Sequence, residues 1–332
     1  MKVVVTGSAG FIGRRVMHAL DGNVHDVVGF DISDDAGDDI TDRHRCERAL
    51  FGADVVVHLA AKVGLGVALS DMDDYARVND LGTAVVLAAA AAAGVSRVVF
   101  ASSMVVYGDG RYTCPEHGDV RTGPRSRDDL RAGRFDHRCP VCARGLLSGS
   151  VSESAPMDPR NTYAATKVHG EHLGQVWARE TDGTFVALRL HNVYGPGMPV
   201  DTQYAGVAAL FRSQLLEGTA PLVFEDGRQR RDFVHVDDVA AAIASATSAV
   251  VPPGPTPLNI GSGKTCTIGE MAATMSRLLG GPPPVITGRY RLGDVRHVTA
   301  DCSAASRLLA WTPRVDLPVG MAGLLGHQVT PV

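Results

Sequence analysis

Short β-branched runs alternate with helical stretches over the first hundred residues. KVVVTG (2–7), HDVVGFD (25–31), DVVVHLAA (54–61) and SRVVFASS (96–103) are apolar nearly throughout. That is the pattern of parallel strands covered on both faces. Between them, GRRVMHAL (13–20), ERALFG (47–52) and VLAAAAAAG (86–94) read as helices. Repeated β-α-β units with right-handed crossovers predict an α/β fold built on a doubly wound parallel sheet. TFVALRLHNVYG (184–195) reads as a further strand leading into a loop. PPGPTP (252–257) and GGPPP (280–284) read as loops in a Pro- and Gly-rich region that suits a smaller carboxyl-terminal lobe.

Length and charge narrow the classes. A chain of 332 residues suits a two-lobed enzyme with a sizeable core. A formal charge of −4 gives no basic surplus, so no nucleic-acid partner is expected. AVVLAAAAAAGV (84–95) is too short for a membrane span, and a strand beginning at residue 3 leaves no room for a signal peptide. A cytoplasmic protein with reduced thiols is the expectation.

Two local patterns carry chemistry. TGSAGFIG places Gly7, Gly10 and Gly13 at the first strand-to-helix turn, where glycines let backbone approach a pyrophosphate seated on the helix N-terminus. Asp31 ends the second strand, and a carboxylate there accepts from ribose hydroxyls and repels a 2′-phosphate, favouring NAD over NADP. Arg14 and Arg15 are the counter-evidence, and a solvated helix face is the preferred reading of both. YAATK sets Tyr163 and Lys167 at i and i+4 on one helix face. An ammonium beside a phenol is expected to lower the tyrosine pKa and fit it for proton transfer.

With FASSMVVYG (100–108), the chain resembles the extended short-chain dehydrogenases/reductases, in their nucleotide-sugar epimerase branch. VVHLAA (55–60), RLHNVYGPG (189–197), DGRQRRDFVHVDDVA (226–240) and RLGDVRHVTADCSAASRLLAW (291–311) continue the likeness nearly to the end. HLAAKVGLGV (58–67), QYAGV (203–207) and APLVFEDG (220–227) tilt it toward the dTDP-L-rhamnose 4-epimerase-like and UDP-glucose 4-epimerase-like group. The resemblance implies a Rossmann domain over 1–188 with 232–258, carrying an insertion at 110–155, and a substrate domain over 189–231 with 259–332. It implies that Gly7, Gly10, Phe11, Ile12, Gly13, Asp31, Asp39, Ile40, Leu59, Ala60, Ala61, Tyr163, Lys167 and Leu190 hold NAD. Lys62, Ser103, His191, Asn192, Phe224, Arg231 and Arg291 would meet a nucleotide-diphosphate sugar, with Asn192 and the two arginines on the diphosphate. Ser103, Tyr163 and Lys167 would be catalytic, in a homodimer of the kind usual in the family.

The implied reaction is epimerisation at C4 by transient oxidation to a 4-keto sugar and re-reduction on its other face. A ketosugar reductase using NAD(P)H is the alternative, and a non-catalytic dinucleotide-binding protein a remote one. Dehydratases of this family carry an acid and a base after the fourth strand, where Ser102-Ser103-Met104 offers neither, so water elimination is not expected.

Cys114, His117, Cys139 and Cys142 form two C-P-x-(C/H) pairs within the insertion. Acidic residues offset most of the insertion's arginines, which disfavours a nucleic-acid finger. Three cysteines and a histidine would fill a tetrahedron, so a closed structural zinc is preferred over a catalytic one. A redox pair of Cys139 and Cys142, and unrelated free thiols, stay open. Cys46, Cys266 and Cys302 lack partner spacing and read as packed residues.

Overall fold

Six parallel strands form the central layer of the computed structural model, which describes residues 1–21, 26–33, 37–64, 69–199 and 206–326. Residues 25, 65–67 and 203–205 of three quoted motifs lie outside them. The strands are β1 (Lys2–Thr6), β2 (Asp26–Phe30), β3 (Val55–His58), β4 (Arg97–Ser103), β5 (Thr184–Leu190) and β6 (Gly254–Ile260). Their order across the sheet is β6-β5-β4-β3-β1-β2. The reversal beside β1 opens a crevice at the carboxyl ends, the usual ligand position of such sheets.

The unbroken apolar runs are explained by burial on both faces. Val3, Val4 and Val5 are all fully buried. Val3, Val5, Val55 and Val57 join one core, which includes Val16, Leu20, Val239 and Ile243. The alternating residues Val4, Val56, Val98 and Phe185 join the opposite core with Val86 and Trp177. The first face is covered by α1 (Phe11–Asp21) and Val236–Ser248, the second by Arg43–Leu50, Gly82–Ala92 and the long Thr162–Thr181.

Two expectations are corrected. PPGPTP was expected to be a loop, but Gly254–Ile260 is an edge strand pairing with β5, Pro255 opposite Phe185 and Pro257 opposite Ala187. Proline lacks a ladder donor, and an edge strand tolerates that loss because one side makes no ladder. TFVALRLHNVYG was expected to be a strand leading into a loop; the strand ends at Leu190, but after His191 the chain forms a second short strand, Asn192–Tyr194, that pairs with Arg230–His235. This switch leads the chain from the main sheet toward a separate core of Tyr194, Phe211, Val223, Phe233, Met271, Met275 and Met321. Among the described residues, no helix is long and apolar enough to cross a membrane.

Candidate active site

The turn after β1 is built by glycines that cannot be replaced. Gly7 has φ +72, and a Cβ on it would lie 2.7 Å from the Ala60 nitrogen; a Cβ on Gly13 would lie 2.0 Å from the Gly7 carbonyl oxygen. The Gly10 amide donates to the Gly7 carbonyl at 3.1 Å, aiming the first turn of α1 into the crevice. First-turn N–H groups lack intrahelical partners and favour an anion. Asp31 accepts from the amides of Ala9 and Ser33, each at 3.0 Å, and so ties β2 to this turn. Burial pushes its carboxyl up, but the Ser33 and Ala9 hydrogen bonds outweigh that and hold it below the usual range. Arg14 is exposed and Arg15 half-exposed on that helix face, Arg15 also reaching the Pro196 carbonyl at 3.3 Å and Asp237 at 3.6 Å.

A cavity of about 730 Å³ runs from this turn to the end of β4. It is lined by Gly7, Gly10, Phe11, Ile12, Gly13, Asp31, Asp39, Ile40, Leu59, Ala60, Ala61, Ser103, Tyr163, Lys167, Leu190, His191 and Asn192. Thus all fourteen expected cofactor positions, and three of the substrate positions, share one space. Asn192 Oδ1 is buried there without a hydrogen-bond partner.

Asn161 caps the long helix Thr162–Thr181 through the Ala164 amide at 2.8 Å, which fixes where Tyr163 and Lys167 begin their shared face. The Ser103 hydroxyl hydrogen-bonds the Tyr163 phenol. Lys167 Nζ donates to the Ala101 carbonyl at 2.7 Å and sits 5.7 Å from the Tyr163 ring centroid. Burial lowers the Lys167 ammonium to about 8, while Glu171 opposes the shift. The expected lowering of Tyr163 is not met in this arrangement. Burial raises its pKa, Ser103 alone works the other way, and the lysine is engaged by a carbonyl instead of the phenol oxygen.

Four expected substrate residues lie outside the cavity. Lys62 pairs with Asp74 and sits over the Tyr75 ring. Arg291 is exposed and stacks on Phe224 at 5.0 Å. Arg231 donates to the carbonyls of Arg296 at 3.0 Å and Val295 at 2.6 Å. The Cys114, His117, Cys139 and Cys142 cluster also lies apart from the cavity.

Sequence reasoning missed the support beneath the site. Arg189, 2% exposed, grips the carboxylate of Glu171 at 2.9 and 2.7 Å and donates to Tyr107 at 2.9 Å. Ser102 donates to the same Glu171, and Tyr107 donates to Asn259 at 2.7 Å. Asn79 accepts from the Lys62 amide at 2.8 Å and donates to Thr166 at 3.0 Å, pinning the segment after β3 to the catalytic helix. Glu171, four residues beyond Lys167 on that helix, was the available signal.

A sequence profile described as the NAD dependent epimerase/dehydratase family matches residues 3–128 and 142–261. The chain belongs to that family. The family profile skips 129–141, which contains Asp136, His137 and Cys139. A dTDP-L-rhamnose 4-epimerase of Burkholderia thailandensis is 33% identical over 345 residues, covering 97% of this chain and 93% of that protein. A UDP-glucose 4-epimerase of Mycolicibacterium smegmatis is 30% identical over 341 residues, covering 97% and 96%. A solved structure of MoeE5 in complex with UDP-glucuronic acid and NAD superposes with a TM-score of 0.79 at 30% identity, covering 98% of each chain.

Proposed function

We propose that this family member is an NAD-dependent epimerase acting at C4 of a nucleotide-diphosphate sugar, a dTDP-6-deoxyhexose being the favoured class. The observation that carries it is the continuity of one cavity from the glycine turn to Ser103, Tyr163 and Lys167. The 4-epimerase names of its relatives support the reaction, and the dTDP-L-rhamnose 4-epimerase supports the sugar class.

The residues fit NAD. Gly10 and the first-turn amides of α1 would hold the pyrophosphate, and Asp31 the adenosine ribose. Asp39 and Ile40 would contact the adenine, Leu59 to Ala61 would line the cofactor, and Lys167 would hold the nicotinamide ribose. When bound, NAD supplies reversible oxidation of a carbinol carbon and a positive charge beside the phenol.

With the cofactor's positive charge beside it favouring the phenolate, Tyr163 as tyrosinate would take the C4 hydroxyl proton at its phenolic oxygen and return it after the sugar has turned. Ser103 holds the C4 oxygen and steadies the phenol. Asn192 would donate its side-chain N–H to the substrate's diphosphate, so that the anchored nucleotide remains while the hexose rotates. Arg231, held by the Val295 and Arg296 carbonyls, and Arg291, stacked on Phe224, would meet that diphosphate from outside the described cavity. Beyond Ser103 the cavity is lined by Met104, which can neither donate nor accept the proton an elimination requires.

The test is incubation of purified protein, without added cofactor, with dTDP- and UDP-hexoses, followed by NMR. A mixture of C4 epimers reached from either side is expected. Turnover only of a 4-keto sugar with added reduced cofactor would instead establish the reductase.

A further inference from the structure

The insertion folds around its own small sheet, in which Arg111–Cys114 pairs with both Gly118–Val120 and Leu147–Gly149. The turn closing the first pair presents Cys114 and His117. The loop after Cys139 returns through Ala143, held at φ 60, whose amide donates to the Cys139 carbonyl at 2.8 Å. That return brings Cys142 back beside Cys139. Backbone amides of Glu116 and His117 aim at the Cys114 sulfur, and those of Val141 and Cys142 at the Cys139 sulfur. All four donor atoms lie within 4.8 Å of one another.

The separations choose between rival readings of this cluster. Cys114 Sγ lies 3.4 Å from His117 Nδ1 and 3.7 Å from Cys142 Sγ, and Cys139 Sγ lies 3.6 Å from His117 Nδ1. Bonds of about 2.3 Å to sulfur and about 2.0 Å to nitrogen give tetrahedral edges of about 3.8 and 3.5 Å. These three edges match, and the whole set stays within 4.8 Å. A disulfide needs about 2.05 Å, and all of these cysteines are free. Thiolates with one imidazole suit zinc in a closed site.

The cluster is joined to the substrate lobe through the buried Arg296, which the exposed Asp136 caps from the insertion side. Asp136 and His137 stand just before Cys139. Asp136 accepts from Arg296 Nε at 2.7 Å, and His137 Nε2 lies 3.2 Å from Asp109, six residues past Ser103. Arg296 is fully buried and also grips Glu225 at 2.8 Å and Asp226 at 2.7 Å. Arg125, also from the insertion, donates to the same Glu225 at 2.8 Å and to the Asp294 carbonyl at 2.6 Å. The carbonyls of Val295 and Arg296 are those that orient Arg231. A clip fixing Asp136 and His137 therefore fixes the segment on which Arg231 leans.

We propose that Cys114, His117, Cys139 and Cys142 hold one structural zinc ion, and that this clip positions Arg231 for the substrate diphosphate. The second half rests on the nucleotide-sugar reading; the first does not. Elemental analysis of the purified full-length protein should find about one zinc per chain. Well under one zinc, iron in its place, or a Cys139–Cys142 disulfide by mass spectrometry would overturn the metal assignment. For the positioning role, dTDP and UDP are each titrated calorimetrically into native, chelator-stripped and zinc-restored protein. Stripping should weaken binding by about tenfold and zinc should restore it. The Asp136→Ala variant should retain zinc yet show a similar weakening. Unchanged affinity in both the stripped protein and that variant would overturn the coupling. Failure of both nucleotides to bind native protein would overturn the nucleotide-sugar reading and the positioning role with it, while zinc content judges the metal independently.

Discussion

At the residue scale, the catalytic assignment turns on one phenol. Tyr163 is hydrogen-bonded by Ser103 and packs against Tyr75, with ring centroids 6.3 Å apart. Tyr163→Phe keeps that packing and removes the oxygen that takes and returns the proton. Turnover should fall by about 10²- to 10⁴-fold while NAD affinity stays within a few-fold. Paired kinetic and cofactor-binding measurements check this, and full turnover in the variant would end the assignment. The glycine turn and the Tyr163–Lys167 pair were legible because their geometry is local: a turn needing φ above zero, and an i, i+4 face. The arginines were harder to place. Arg231 is aimed by carbonyls more than sixty residues along the chain, and Arg291 by Phe224 on a different segment.

At the scale of elements, the site is held by a buried ion pair between helix Thr162–Thr181 and β5. Glu171 and Arg189 are both 2% exposed, and the carboxylate also receives Ser102 from the end of β4. Arg189→Leu would leave Glu171 buried without its cation. Urea unfolding should show a loss of about 3–5 kcal/mol, and a change below about 1 kcal/mol would show the pair to be dispensable. Composition hid this pair, since an acid and a base 18 residues apart read as surface charges until a helix and a strand are packed together. The same limit explains β6. Two prolines argue for a loop in sequence, and only the strand's edge position makes them harmless. The five strands of hydrophobic sequence were readable because both faces of the sheet are covered.

At the scale of the whole molecule, buried neutral groups set the response to acid. His58 sits between Thr6 and Thr83, with its nitrogens 2.7 and 3.0 Å from their hydroxyls. Burial lowers its pKa to about 3, and the nearby Lys167 charge adds to that. The unfolded chain binds a proton there near pH 6.5, so it holds more protons than the folded protein below that pH. The stability contribution is complete above pH 6.5 and is lost as pH falls toward 3. By pH 5 this group alone should cost about 2 kcal/mol. Urea unfolding at pH 7 and pH 5 should show at least that loss, with a smaller one in His58→Gln. Equal losses in both proteins would contradict the assignment.

The central claim is that one cavity oxidises and re-reduces the same carbon without exchanging its hydrogen. The most direct measurement uses a dTDP-6-deoxyhexose deuterated at C4, incubated with purified protein and no added cofactor. NMR and mass spectrometry of the product should show the C4 epimer with deuterium retained at C4. Epimer that has lost its deuterium to solvent, or product formed only when reduced cofactor is supplied, would contradict the account.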